Sequence, residues 1–186
     1  MENLRNKRVA ILATNGFEES ELRDPKKALE EAGIQVDIIS EQEGSIKSWA
    51  NNNWSTPYTV DKTLDQVTQG HYDALMLPGG VLNPDTLRKN KKAIVFIRSF
   101  FNQGKPLAAI CHGPSLLVDA GVLNGHKVTS YISIKKDLEN AGAHWMDEEV
   151  VVDQGLITSR NPQDIPAFCA KLIEEIYENK YAVHMA

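Results

Sequence analysis

The stretch Gly104-Lys105-Pro106-Leu107-Ala108-Ala109-Ile110-Cys111-His112-Gly113-Pro114-Ser115-Leu116-Leu117 changes its period partway along. Leu107 to Ile110 is a short apolar run closed off by Gly-Lys-Pro before and Gly-Pro after, which predicts a fully buried strand. Beyond it, Leu116, Leu117, Ala120, Val122 and Leu123 suit a helix with Pro114 in its first turn, where a missing N–H breaks no intrahelical bond. Cys111 and His112 therefore fall on a strand-to-helix turn, at the strand end where open α/β sheets gather ligands. A helix N-terminus there offers free N–H groups and partial positive charge, which favour a thiolate or a developing oxyanion and depress a cysteine pKa. Gly113 permits a tight turn that lifts a side chain towards solvent. The competing reading makes Cys111 a core residue, because free cysteine is among the most buried residue types. Neighbouring side chains on a regular element diverge, so Cys111 and His112 form a dyad only if the elbow or a third group brings them together.

Working outward, Arg8 to Thr14 reads as a buried parallel strand followed by a polar turn, Asn15-Gly16-Phe17-Glu18-Glu19-Ser20-Glu21. Asp24 as N-cap and Pro25 at the first helical position predict a helix that ends at Gly33, and Val36 to Ser40 a second strand. Glu41 to Asp61 shifts to polar and aromatic residues and reads as a hairpin excursion, Ile46 to Ala50 with Tyr58 to Val60, in which Trp49 and Trp54 pack. Tyr72 to Leu77 is a buried strand ending in Pro78-Gly79-Gly80, a turn that lets the backbone approach a ligand or nucleophile. A short helix begins at Pro84, a longer one carries Ala93, Ile94, Phe96, Ile97, Phe100 and Phe101, and Val128 to Tyr131 is a strand candidate. Ile134 to Ala141 predicts a helix, Val150 to Val152 with Leu156 to Thr158 a hairpin, and a last helix starts no later than Ile165 with Cys169 on its core face. Strands alternating with helices make an α/β fold in a single domain, with residues 1–7 and 181–186 as loose ends.

Two cysteines far apart among 186 residues make neither a disulfide framework nor a zinc site. A net charge of −5 without a basic cluster leaves no footprint for sequence-specific nucleic-acid binding. No apolar stretch reaches membrane-spanning length, and the polar N-terminus is not a signal peptide, so a cytoplasmic protein with a reduced thiol is expected. Phosphate-binding glycine motifs are missing, and the histidines lack metal-ligand spacing, so neither cofactor nor metal is expected.

Five segments in order resemble the PfpI-type intracellular cysteine peptidase and deglycase family (ThiJ/PfpI), within the class I glutamine-amidotransferase-like superfamily. They are Phe17-Glu18-Glu19-Ser20-Glu21, Val60-Asp61-Lys62-Thr63, Leu77-Pro78-Gly79-Gly80, Ala109-Ile110-Cys111-His112-Gly113-Pro114 and Thr158-Ser159-Arg160-Asn161-Pro162. The resemblance implies a flavodoxin-like three-layer sandwich with a mostly parallel sheet, a nucleophile elbow and a hairpin excursion. It implies Cys111 as nucleophile and Glu18 as the carboxyl group at the thiol; the residues by themselves leave Glu18, Glu19 and Glu21 open. It also implies an oxyanion hole from the N–H groups of Gly79, Gly80 and His112. In the family's peptidases a neighbouring subunit's carboxylate orients the elbow histidine, and Asp85 is the matching position, in a homodimer or homohexamer; the alternative is that Asp85 only favours its helix N-terminus.

The function so implied is a cysteine-dependent hydrolase or lyase for reactive carbonyls, a glyoxalase or protein deglycase of stress response. Thiolate attack would be followed by proton transfer through His112 or Glu18. The alternatives are a PfpI-type peptidase or amidase, and a redox-sensing stress chaperone without turnover. A glutamine amidotransferase is disfavoured because none of His126, His144 and His184 is followed by Glu at the second place.

Overall fold

The computed structural model describes residues 4–178 of the chain. In chain order the elements are β1 (Arg8–Leu12), α1 (Glu19–Glu31), β2 (Gln35–Ser40), β3 (Ser45–Ala50), β4 (Asn53–Thr59), β5 (Lys62–Thr63), β6 (Ala74–Leu77), α2 (Leu82–Arg88), α3 (Lys91–Asn102), β7 (Leu107–Ile110), α4 (Ser115–Ala120), β8 (Lys127–Val128), α5 (Lys135–Asn140), β9 (His144–Trp145), β10 (Val151–Asp153), β11 (Leu156–Ser159) and α6 (Ile165–Glu178). The main sheet has seven strands in the order β10-β11-β7-β6-β1-β2-β5. All its neighbours are parallel except β10, which pairs antiparallel with β11.

Alternation along the parallel strands separates two buried layers, because successive side chains leave opposite faces of a sheet. Ala10, Leu12, Leu75, Leu77, Leu107 and Ala109 face one core with Leu87 of α2, Phe96, Ile97 and Phe100 of α3, Leu116 and Leu117 of α4 and Leu138 of α5. Val9, Ile11, Met76, Ala108, Ile110 and Ile157 face the other, against Leu22 and Leu29 of α1 and Phe168, Cys169, Leu172 and Ile176 of α6. This is the flavodoxin-like sandwich expected, and Cys169 is a core residue on its helix.

Several boundaries differ from expectation for physical reasons. α1 begins at Glu19, not after Asp24, so Pro25 lies inside the helix. A proline at that depth costs about 3 kcal/mol in an isolated helix. Here tertiary bonds hold the first turn: Trp49 N–H donates to Phe17 O at 2.8 Å and Gly79 N–H to Glu21 Oε2 at 2.8 Å. Residues 129–131 are not a strand, because Thr129 N–H is captured by Thr158 Oγ1 at 2.9 Å and Tyr131 N–H by Cys111 O at 2.9 Å. The hairpin β3–β4 forms a separate sheet, with Trp49 and Trp54 edge to face at 5.4 Å. Residues 4–7 are not loose, since Leu4 is buried and Lys7 pairs with Asp73 at 2.9 Å. Residues 1–3 and the expected tail over 181–186 lie outside the described residues.

Candidate active site

Cys111 follows β7 with φ at +62°, in the left-handed region. Such a conformation in a residue other than glycine costs on the order of 1 kcal/mol and is held only where the surroundings over-determine it. Here Cys111 N–H donates to Ser159 O at 3.0 Å, Cys111 O accepts from Tyr131 N–H, and Gly113 N–H closes the turn on Ile110 O at 2.9 Å. The strained turn brings two sequence neighbours together: Cys111 Sγ lies 3.3 Å from His112 Nδ1. The elbow itself thus makes the dyad that sequence adjacency could not. Contrary to expectation the turn does not lift Cys111 into solvent; the residue is 7 % exposed.

The covering group is Glu21, which is fully buried in the first turn of α1. Its carboxyl accepts from Gly79 N–H and interacts with the Cys111 thiol. A side chain at Gly79 is impossible without rearrangement, because its Cβ would stand 2.5 Å from Glu21 Oε2 and 2.8 Å from Cys111 Cβ. Gly80, at φ +80°, is equally committed, its Cβ meeting Gly16 O at 2.5 Å. The N–H groups of Gly80 and His112 point at the sulfur. Asn83, buried in α2, ties this turn to β1: its Nδ2 donates to Pro78 O at 3.0 Å and Gly79 O at 3.1 Å, and its Oδ1 accepts from Thr14 N–H at 2.8 Å.

On the other side of the thiol, His112 stacks on Tyr131, with ring centres 4.8 Å apart, and His112 Nε2 lies 3.1 Å from Ser133 Oγ. Tyr131 also walls a pocket of about 210 Å³ lined by Ser130, Ile132, Trp145, Asp147, Arg160 and Asn161. Arg160 is held there by Asp164 and Asp147.

Burial pushes the Glu21 carboxyl up to about 8, against the opposing bond from Gly79 N–H, so at neutral pH it carries a proton. Burial, followed by the negative charge that Glu21 gains on ionising, also pushes the Cys111 thiol up, while the Gly80 and His112 N–H groups pull it down. The helix-terminus effect expected from sequence is outweighed by desolvation. Burial alone lowers the His112 pKa, so the imidazole is neutral at pH 7 and able to accept a proton.

The structure brings together Cys111, His112 and Gly80 as expected, and corrects two assignments. Glu18 is the residue before α1 and accepts from Ser20 Oγ at 3.4 Å; Glu21, three residues on, is the acid at the thiol. Gly79 N–H is spent on Glu21 and is not free for an oxyanion, which leaves the Gly80 and His112 N–H groups. Asp85 is exposed in the first turn of α2, and among the described residues no bond links it to His112. Asn83, Tyr131 and Ser133 carried no signal of their own in the sequence. Glu21 did: a helix started at Glu19 puts Glu21, Leu22, Pro25 and Leu29 on one face. Among the described residues no group of three or more His, Cys, Asp and Glu side chains could hold a metal ion, and no helix is long and apolar enough to cross a membrane.

Residues 7–175 match the model of the DJ-1/PfpI family. The chain is 45% identical to General stress protein 18 of Bacillus subtilis over 163 residues, 87% of this chain and 93% of that protein. It is 45% identical to Protein/nucleic acid deglycase 2 of Escherichia coli over 164 residues, 88% and 94% of the two chains, and 43% identical to Deglycase PfpI of Pyrococcus furiosus over 167 residues, 90% and 98%. Among solved structures, a two-domain protein of Anabaena variabilis with DJ-1/ThiJ/PfpI-like and ferritin-like domains superposes with a TM-score of 0.87 at 34% identity, covering 91% of this chain and 50% of that one. Drosophila melanogaster DJ-1beta superposes at 0.83 and 30% identity, covering 95% and 93%. With the family model matching residues 7–175 and relatives 43–45% identical over nearly their whole length, the chain belongs to the DJ-1/PfpI family.

Proposed function

We propose that the protein is a cysteine-dependent enzyme acting on reactive carbonyls, as a glyoxalase or as a deglycase of carbonyl adducts on side chains. The observation that carries this is the convergence on one strained cysteine of an imidazole nitrogen, two main-chain N–H donors and a carboxyl that holds a proton at neutral pH. His112 Nδ1 takes the thiol proton as the sulfur attacks the aldehyde carbon of a 2-oxoaldehyde, because burial disfavours a free thiolate and imidazolium beforehand. The C–S bond forms as the carbonyl electron pair moves to oxygen, where the Gly80 and His112 N–H groups stabilise it. The carbon-bound proton then passes by way of a basic group to the neighbouring carbon, giving a thioester. Water releases this as the 2-hydroxy acid and restores the thiol, so that methylglyoxal and water yield lactate.

The deglycase names of relatives 43–45% identical to this chain favour this reading over peptide hydrolysis. The proposed test is lactate formation from methylglyoxal, run beside a peptide substrate and a glycated amino acid. Cys111→Ala is expected to abolish turnover of the carbonyl substrates. Normal turnover in that variant overturns the nucleophile, and cleavage of the peptide alone by the unmutated protein overturns the substrate class.

A further inference from the structure

Arg160 is the first residue beyond β11 and the neighbour of Cys111 across the strand ends. Ser159 pairs with Ile110 in register, and Cys111 N–H donates to Ser159 O at 3.0 Å. Adjacent strands lie about 5 Å apart, so the guanidinium is rooted one strand away from the thiol. Its inner edge is fixed: Nε and Nη2 donate to the two oxygens of Asp164 at 2.9 and 3.0 Å, a fork held by a carboxylate only 5 % exposed. Its outer edge is held differently. Nη1 donates to Asp147 Oδ1 at 2.8 Å, and that carboxylate is 72 % exposed. An ion pair with so exposed a partner contributes little, because water screens it. A guanidinium has five N–H donors and these contacts occupy three, leaving one on Nη1 and one on Nη2. Asn161 lines the same pocket; its Oδ1 accepts from Gln163 N–H at 3.0 Å, and its Nδ2 donor has no partner among the described residues.

We propose that Arg160 is a specificity-determining residue that binds a carboxylate of the substrate in the pocket walled by Tyr131, where the chain's own Asp147 stands in for it. The proposal rests on the carbonyl reading of the Cys111 site and narrows its substrate class to adducts borne by free amino acids or C-terminal residues, whose α-carboxylate lies a few bonds from the reacting carbon. Tyr131 joins the two places, since its ring stacks on His112 and also walls the pocket. A carboxylate entering the pocket exchanges with Asp147 at Nη1, so the charge beside the guanidinium is unchanged, and Asp164 keeps the fork in place throughout. The incoming group also meets the Asn161 Nδ2 donor. A guanidinium only donates and a carboxylate only accepts, so the sense of the contact is fixed. Among the described residues that line the pocket Arg160 is the only cation and Asp147 the only acid; Glu148 and Glu149, both exposed, lie outside that lining. A capped amide lacks the charge, which makes acid against amide the discriminating comparison.

The test has a binding arm and a rate arm. In the substrate-free protein, N-acetylalanine and its amide are titrated while NMR follows the Trp145 indole N–H and the Arg160 Nε–H. The acid is expected to shift both resonances to saturation and the amide neither. In the rate arm, methylglyoxal adducts of N-acetylcysteine and of N-acetylcysteinamide are compared at equal free methylglyoxal. Here kcat/KM should favour the acid about tenfold, the scale of one charge-assisted hydrogen bond, and chiefly through KM. Asp147→Asn, at an exposed side chain, removes the competing charge and should widen that preference a few-fold while tightening N-acetylalanine binding. Arg160→Gln should bring the preference to about one; it leaves the buried Asp164 without its cation, so Asp147→Asn decides the matter should that variant fail to fold. Equal responses to acid and amide in either arm, or a preference unmoved by Asp147→Asn, overturn the proposal. If neither adduct is turned over, the carbonyl reading fails, while the NMR titration still judges the carboxylate site.

Discussion

A carboxyl group sealed beside a thiol couples this protein's stability to pH at a single residue. The unfolded Glu21 would titrate near 4.5, whereas burial raises the folded group to about 8. Between those values the folded chain retains a proton that the unfolded chain has lost. Glu21's favourable contribution is therefore complete below about 4.5 and fades as pH rises through 8, at up to about 1.4 kcal/mol per pH unit. Glu21→Gln keeps an oxygen to accept from Gly79 N–H and removes the ionisation. Its Tm should exceed that of the unmutated protein at pH 8, with the gap narrowing towards pH 5; a gap that stays constant across pH 5 to 8 in thermal melts contradicts a buried acid of raised pKa. Glu18, whose charge also raises the Glu21 pKa, makes the contrast: Glu18→Gln should leave most of the pH dependence in place. The motif Phe17-Glu18-Glu19-Ser20-Glu21 was legible as a site, but choosing among its three acids required knowing where α1 begins.

At the scale of elements, the site is the meeting of three strand ends and one short helix. β1, β6 and β7 end side by side, and α2 returns Asn83 to bind the loop after β1 and the glycine turn after β6. Removing a buried amide that serves three main-chain groups leaves donors and acceptors unpaired, at a cost of about 1–3 kcal/mol. Asn83→Ala should lose that much in urea unfolding and also lower kcat, because Gly80 N–H is aimed by the same turn; an unchanged kcat would show that the turn holds its shape unaided. The strand-turn-helix around Cys111 could be read from composition, since apolar runs and Gly-Pro punctuation are local signals. The start of α1 could not, because Pro25 is a strong local signal for a helix start that long-range bonds to Trp49 and Gly79 override.

For the molecule as a whole, the sheet acts as a partition between two cores, and the site sits where the strands leave it. Leu75, fully buried in β6, belongs to the core under α3, on the face opposite Cys111. Leu75→Ala should cost about 2–5 kcal/mol in a chain of this size, lowering Tm by several degrees while the His112 ring shifts stay unchanged; altered shifts would mean that the two cores are coupled through the sheet. The sequence by itself determined the order of strands and helices, the apolar faces and the cysteine on its elbow, because periodicity and turn chemistry act between residues a few positions apart. Only the tertiary structure decided that Glu21 rather than Glu18 meets the thiol, that Gly79 N–H is taken, and that Ser133 reaches the imidazole. Those contacts join residues 21, 79, 111 and 133, and no spacing along a chain encodes which of several like side chains a distant turn will face.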